Sequence, residues 1–464
     1  MEKRLILGLV AWTCLASAQP VETLPGTAPL DWQGDLSERM MDGAHRFIER
    51  KIAQSRGRRK LDAGSRQRFS ERIGVVDPLA AASMERFGDE TNPALVAETR
   101  SYRVFQVRWT AIEGVHGEGL LLEPKRAPVA FMVALPDVGQ TPEQTAVQFA
   151  HRFAEAGCSV VVPVLVDRET TFSGHPEIRM TDQPHREWIY RQAYHMGRHI
   201  IGYEVQKVRG VVEWFKKRNP HAKVGVAGYA EGGLIAFYSA AVDERIDAAM
   251  VSGYFDARER VWAEPIYRNV WGLLDEFGDA EIASLIAPRG LVVEASRPPE
   301  WKSVKGDIPA PELASVRTEF ERLGSQPKAL VEGGPWSAEA MQRFAAMIGV
   351  KISAATDKPP SLARPGFDYS ARQMRQVTEL EAHVQGLVRS SEHVRAASFL
   401  YKAEPKFTDE RWSTRRRRDT IDPAGFIENA KRYREQFWTE LMGRFDDPLL
   451  APNPRTRKIF DNAR

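Results

Sequence analysis

The chain has 464 residues, too many for a single compact core and ordinary for a large α/β domain with helical additions. Its 65 basic and 62 acidic side chains leave a formal charge of +3, which gives no whole-protein field for gripping nucleic acid or an anionic membrane surface. A neutral or small-molecule ligand fits that balance better.

Residues 1–18 have the parts of a secretory signal: basic Lys3-Arg4, an apolar run from Leu5 to Leu15, and the small residues Ala16-Ser17-Ala18, with cleavage expected before Gln19. The run is shorter than the roughly 20 apolar residues a spanning helix needs, so a secreted or periplasmic protein with no membrane attachment after cleavage is expected. Cys14 would leave with the signal, Cys158 would remain alone, and no internal disulfide would form.

Residues 19–95 are charge-rich, with helical spacing in Leu36-Met40-Met41-Ala44-Phe47-Ile48 and again in Phe69-Ile73, and predict a helical lead-in rather than core. From Tyr102 the period shortens: Tyr102, Val104, Val107 and Trp109 predict an outer strand and Gly119–Leu122 its antiparallel partner. Short apolar runs follow at Val129–Leu135, Ser159–Val164, Lys223–Ala227, Ala248–Val251, Gly290–Val293 and Ala329–Val331. Continuous apolar runs separated by amphipathic helices indicate parallel strands covered on both faces. One long helix is expected from about Pro184 to Phe215. Residues 96–355 thus predict a mostly parallel α/β domain. A boundary is expected near residue 356, where Lys358-Pro359-Pro360 and Arg364-Pro365-Gly366 lead into a charged helical extension, 356–464. The run Arg415-Arg416-Arg417-Arg418 sits beside Asp409, Glu410 and Asp419, a locally neutralised solvated turn rather than a phosphate contact.

The strongest motif is Val224–Leu234, an apolar strand entering a small-residue turn and then a helix. Gly228 and Gly232 stand two residues either side of Ala230, as a nucleophile elbow requires where neighbouring backbone crowds the central residue. With Leu135-Pro136-Asp137 and Ile286-Ala287-Pro288-Arg289, this stretch resembles the α/β-hydrolase superfamily, and within it the dienelactone-hydrolase and acetyl-xylan-esterase-like branch, over about residues 100 to 350. The resemblance implies an α/β-hydrolase fold with helices on both faces of the sheet and descent from secreted ester hydrolases acting on acylated polysaccharides.

Attack on a carbonyl needs a lone pair at the elbow centre, and Ala230 has none. The histidine of such a triad belongs on the loop after the last strand, here Glu332-Gly333-Gly334-Pro335-Trp336-Ser337, and no histidine occurs between His221 and His383. His383 and His393 fall in the helical tail, outside the expected core. Glu294, closing the strand Leu291-Val292-Val293, matches the position of the acid; the bland reading makes it an exposed strand end or the partner of Arg289 or Arg297. The backbone donors of an oxyanion hole would come from Glu231 and from the loop at Asp137-Val138, whose carboxylates favour a neutral polar ligand over an anion. Tyr254, Phe255, Asp256 and Arg258, with Tyr229 and Trp336, are candidates to line a saccharide pocket at the carboxyl ends of the strands, or else plug the core.

His195 and His199, with His185 or Glu204, have the spacing to share a helix face for zinc, but without a His-Glu-x-x-His pattern no metal is expected. No phosphate-loop or dinucleotide motif is present, and no cofactor is expected. One internal echo stands out: Arg66–Phe69, Gly74 and Asp77-Pro78-Leu79 are repeated in outline by Arg434–Phe437, Gly443 and Asp447-Pro448-Leu449, as if the tail were the lead-in of something else. Asp446–Phe460 also resembles the join in tandem proteins where a hydrolase domain follows an elbow-defective one, implying a partner hydrolase domain. The expectation is a triad-deficient, ligand-binding or scaffolding domain. The alternative is an ester hydrolase that uses Glu294, Asp256, Asp137 or Tyr254 as general acid or base, or borrows catalysis from a partner domain.

Overall fold

A computed structural model describes residues 22–175, 177–178, 182–303, 306–324, 326–353, 358–398 and 423–459. The amino-terminal stretch expected to be a signal and the four-arginine run lie outside them. The chain forms two compact units, one spanning Glu49–Ser398 and one grouping the residues before Glu49 with those after Ser398. The packing therefore draws its division elsewhere than residue 356, because the helix Ser370–Ser398 sends Val377, Leu380 and Val384 into the core of the larger unit.

That unit is built on a ten-stranded sheet. In chain order its strands are β1 Glu85–Arg86, β2 Leu95–Glu98, β3 Tyr102–Ile112, β4 Val115–Pro124, β5 Ala130–Leu135, β6 Cys158–Pro163, β7 Val224–Tyr229, β8 Ala248–Ser252, β9 Gly290–Ala295 and β10 Lys328–Glu332. The spatial order is β10-β9-β8-β7-β5-β6-β4-β3-β1, with β2 also on β3. Strands β5 to β10 are mutually parallel, and β4 joins them antiparallel through Gly119 opposite Pro163. This order, with its crossing from β5 to β7, is that of the α/β-hydrolase fold, and every strand expected from Tyr102 onward is present.

The doubly apolar runs follow from burial on both faces. Val133 and Leu135 of β5 and Val226 of β7 join one core with the helices Ile200–Arg218 and Glu231–Val242. Met132, Ala134 and Ala227 point to the other, against Phe149, Phe153, Phe344 and Ile348. Alternate residues thus serve opposite layers, and both faces of these strands are apolar.

Two sequence expectations change. The predicted long helix is two, His185–Tyr194 and Ile200–Arg218, separated at Gly197, whose φ of 67° belongs to the left-handed region. Phe69 and Ile73 of the expected lead-in are fully buried in the core, Phe69 setting its ring edge-on to Tyr238 and Phe277 at 5.1 and 5.4 Å. A short helix, Ser65–Arg72, carries few apolar residues, so its spacing alone does not reveal how deeply they are inserted.

The smaller unit contains the helix Pro423–Gln436, a π-helical turn Phe437–Met442, a two-residue parallel pairing of Ala28–Pro29 with Arg455–Thr456, and a Phe47–Phe445 edge contact at 4.7 Å. The helix Leu36–Arg56, present as its spacing predicts, spans the division, and its Met40, Met41 and Ile48 are exposed. No helix among the described residues is long and apolar enough to cross a membrane.

Candidate functional site

The strand β7 ends at Tyr229 and the helix Glu231–Val242 begins two residues later, so Ala230 makes the whole turn. Its φ of 52° and ψ of −112° lie in a region that residues with a side chain rarely occupy. The flanking glycines are sterically required. A Cβ on Gly228 would meet the Gly232 carbonyl oxygen at 2.0 Å, and one on Gly232 would meet the Pro136 oxygen at 2.2 Å. The elbow is therefore formed and strained, with a methyl group at its centre.

The donor that follows is occupied. The Glu231 N–H donates to Asp137 Oδ1 at 3.1 Å, the Asp137 N–H donates to Gln140 Oε1 at 3.2 Å, and Asp137 itself is buried. A carboxylate of the chain sits where a substrate's developing negative charge would be received.

The Glu231 side chain turns into a buried ionic cluster. Arg268 donates to it through Nε and Nη2 at 3.0 and 2.8 Å, Arg168 through Nη2 at 3.1 Å, and Arg186 through Nη2 at 3.3 Å. Arg186 also forks onto Glu204 at 2.8 and 3.0 Å, and Arg168 Nε donates to the Tyr267 hydroxyl. Burial alone would raise the Glu231 pKa, but the guanidiniums of Arg268, Arg186 and Arg168 outweigh it and hold the carboxyl at about 2. These arginines are scattered over about a hundred residues of sequence, and no local signal marks them.

Glu294, the penultimate residue of β9, stands at the acid position, but neither bland reading of it holds. It is buried, and its partners are the N–H groups of Trp336 and Ser337 at 2.9 and 2.8 Å together with the Ser252 hydroxyl. Arg289 instead donates to the carbonyls of Asp243, Ile246 and Leu285, and Arg297 pairs with Glu300. The carboxylate thus fastens the loop in which a triad histidine would stand. Trp336 in that loop has a φ of 63°, stacks on Phe149, and has its ring 6.2 Å from that of Tyr229, whose hydroxyl donates to the Arg297 carbonyl.

Tyr254, packed on the elbow helix with its hydroxyl donating to that of Tyr238, and Asp256 line a cleft of about 530 Å³ that also includes Arg258, Glu264, Arg268 and Ser315. A smaller cleft of about 280 Å³ shares Gly253, Tyr254, Ala310 and Pro311 with it and reaches Glu294 and Ser296. Val138 lines a third, also about 280 Å³, beside Arg168, Trp301 and Tyr369. Ala230 lines none of the three. Burial raises the Asp256 carboxyl above its ordinary pKa, against the Ser315 hydroxyl that donates to it.

The histidines weighed for zinc are separated. His185 places Nδ1 2.6 Å from Asp167 and accepts the Phe172 N–H at Nε2; His199 accepts the Ile201 N–H at Nδ1 and meets the Asn269 carbonyl through Nε2; His195 is exposed. Glu204 is committed to Arg186. Among the described residues no group of three such ligands converges. His383, on the tail helix, bonds the Tyr203 hydroxyl through Nδ1 at 2.9 Å. The side chain of His393 lies outside the described residues.

Residues 118–260 match the model of the dienelactone hydrolase family, a stretch that runs from β4 through the elbow and ends before the acid and histidine positions. Among solved structures, the chain is similar to an acetyl xylan esterase from Thermoanaerobacterium at 15% identity, covering 61% of this chain and 91% of that one with a TM-score of 0.40. It is similar to a glucuronoyl esterase from Solibacter usitatus at 13% identity, covering 62% and 94% with a TM-score of 0.40. An acetyl xylan esterase from Paenibacillus is similar at 15% identity, covering 63% and 98% with a TM-score of 0.41. No curated protein matches the chain significantly.

Proposed function

We propose that this is an exported, non-catalytic α/β-hydrolase-fold protein that binds a neutral saccharide or a similarly polar small molecule in the cleft beside Tyr254 and Asp256. The observation that carries the reading is the Glu231 N–H, which donates to Asp137 next to an elbow whose centre is alanine. Nucleophile and oxyanion donor are the two parts no ester hydrolase of this architecture dispenses with together. The carboxylate at the acid position serves two backbone N–H groups, so a histidine placed in the loop would find its orienting partner engaged.

A neutral ligand is favoured because the buried arginines of the cleft are already paired within the chain. Arg258 pairs with Asp279 and Glu264, Arg268 with Glu231 and Glu264, and Glu259 with Arg59. The polar groups along the cleft, among them Asp256, Glu264, Asp307 and Ser315, supply hydrogen-bond partners of the kind that sugar hydroxyls use. Export rests on the amino-terminal signal.

One observation favours the second reading, in which the cleft is an unconventional active site: the Asp256 carboxyl is raised by burial while facing that cavity, as a general acid would be. Calorimetric titration with xylo-oligosaccharides separates the two. The binding reading expects saturable heat that Asp256→Asn weakens without any product forming. Product formation abolished by Asp256→Asn would favour the enzyme, and the absence of heat from a panel of neutral oligosaccharides would remove the saccharide.

A further inference from the structure

We propose that the third cleft, beside Val138, Arg168, Trp301 and Tyr369, is a second saccharide site that holds one sugar ring against the Trp301 and Tyr369 side chains. It rests on the ligand class proposed above and shares no residue with the cleft at Asp256.

Three segments fix its walls. The loop after β5 supplies Val138 to Pro142, the loop after β6 supplies Asp167 and Arg168, and Tyr369 stands just before the helix Ser370–Ser398. Gln373 of that helix donates to the Leu165 carbonyl at 2.8 Å and receives the Asp167 N–H at 3.2 Å, which locks two of the segments together. Trp301 is held by a bridge to Ile308, whose N–H donates to the Trp301 carbonyl at 2.8 Å. Both rings are half-buried, whereas the Tyr254 ring is packed shut.

The charges select the occupant. The Arg168 guanidinium lies over the Trp301 ring at 5.3 Å, and that of Arg372 over the Tyr369 ring at 5.8 Å. Each aromatic wall is thus already backed by a cation, and a ligand cation would be repelled where it would otherwise gain. Neither arginine invites an anion. Arg168 is spent on Glu231 and Tyr267, and Arg372 on Glu143 and Gln106, while Asp167 and Glu169 line the same cleft. Asp167 accepts the Glu169 N–H at Oδ1, which also bonds His185 Nδ1. Among the described residues its Oδ2 and the Glu169 carboxylate have no hydrogen-bond partner, so the cleft offers acceptors to a ligand that carries hydroxyl donors. A neutral ring with an apolar face and several hydroxyls meets all three conditions. A cavity of roughly 150 Å³ holds a six-carbon ring, so about 280 Å³ takes one pyranose and not two.

The test is calorimetric titration of the full chain with xylotriose. Two equivalents are expected on the parent, of which Asp256→Asn weakens one and leaves the other at parental affinity. In the Asp256→Asn background, adding Trp301→Ala or Tyr369→Ala, which lie on different segments, is expected to weaken the remaining site by at least about ten-fold, while Trp301→Phe keeps it within about three-fold. Melting temperatures within about 3 °C of the parent establish that these variants fold. A single equivalent that Asp256→Asn weakens and Trp301→Ala leaves unchanged overturns the second site and leaves the cleft at Asp256 standing. A remaining site indifferent to both Trp301→Ala and Tyr369→Ala overturns it equally, and no heat from the parent overturns both sites.

Discussion

Replacing Glu231 by glutamine keeps the side chain's shape and removes the one charge that three buried guanidiniums share. A carboxyl held at about 2 rather than 4.5 contributes about 3 kcal/mol to folding at neutral pH. That agrees with the 3–5 kcal/mol, in rough terms, for breaking a buried ion pair from one side. At about 2.1 cal/mol/K per residue over the Glu49–Ser398 unit, such a loss lowers the melting temperature by about 4–7 °C. The sign with pH is fixed. A depressed carboxyl stabilises above its unfolded pKa of 4.5 and loses that contribution as pH falls toward 2, so the gap between parent and Glu231→Gln narrows by about 2 kcal/mol between about pH 5 and about pH 3. Differential scanning calorimetry across that range reads both quantities. A drop of less than about 1 °C at neutral pH, or a gap unchanged on acidification, would refute the assignment of Glu231 as the anionic centre of the cluster.

Ala230→Ser with Gly333→His restores two missing side chains but leaves Asp137 on the Glu231 N–H and Glu294 on the loop backbone, so p-nitrophenyl acetate turnover should stay at the level of a heat-killed control. Phe69→Ala should cost about 3–5 kcal/mol in denaturant unfolding, whereas Phe437→Ala, at an exposed position, should cost under about 1 kcal/mol. His199 is pushed from 6.5 to about 4 chiefly by burial, so its contribution is full above about 6.5 and lost as pH falls toward about 4. His199→Gln should therefore flatten the acid limb of a stability profile by up to about 3 kcal/mol.

Much of the fold can be read in the sequence because burial on both faces leaves a plain record. Runs such as Ala248–Val251 have no polar alternation, and each is a parallel strand within a residue or two of its expected ends. The elbow is equally legible, since Gly228 and Gly232 are the only residue type that fits beside a strained centre. The ionic cluster is not legible, because Arg168, Arg186 and Arg268 reach Glu231 from three separate segments and resemble any surface arginine in sequence. The role of Glu294 is hidden for a related reason: its partners are backbone N–H groups, which no sequence pattern reports. Phe69 was hidden by its polar neighbours, where a single deeply inserted ring does the packing of a short helix. The sequence points to the Asp137 loop as a source of an oxyanion donor, and the structure reverses its part, since the Asp137 side chain accepts the donor of the neighbouring segment.

The most direct measurement is hydrolysis of acetylated xylan and p-nitrophenyl acetate by the purified, unmodified protein, with a heat-killed sample as background. No turnover above that background is expected, because Ala230 offers no nucleophile and the Glu231 N–H is engaged. Turnover that co-purifies with the chain and falls with Asp256→Asn would contradict it.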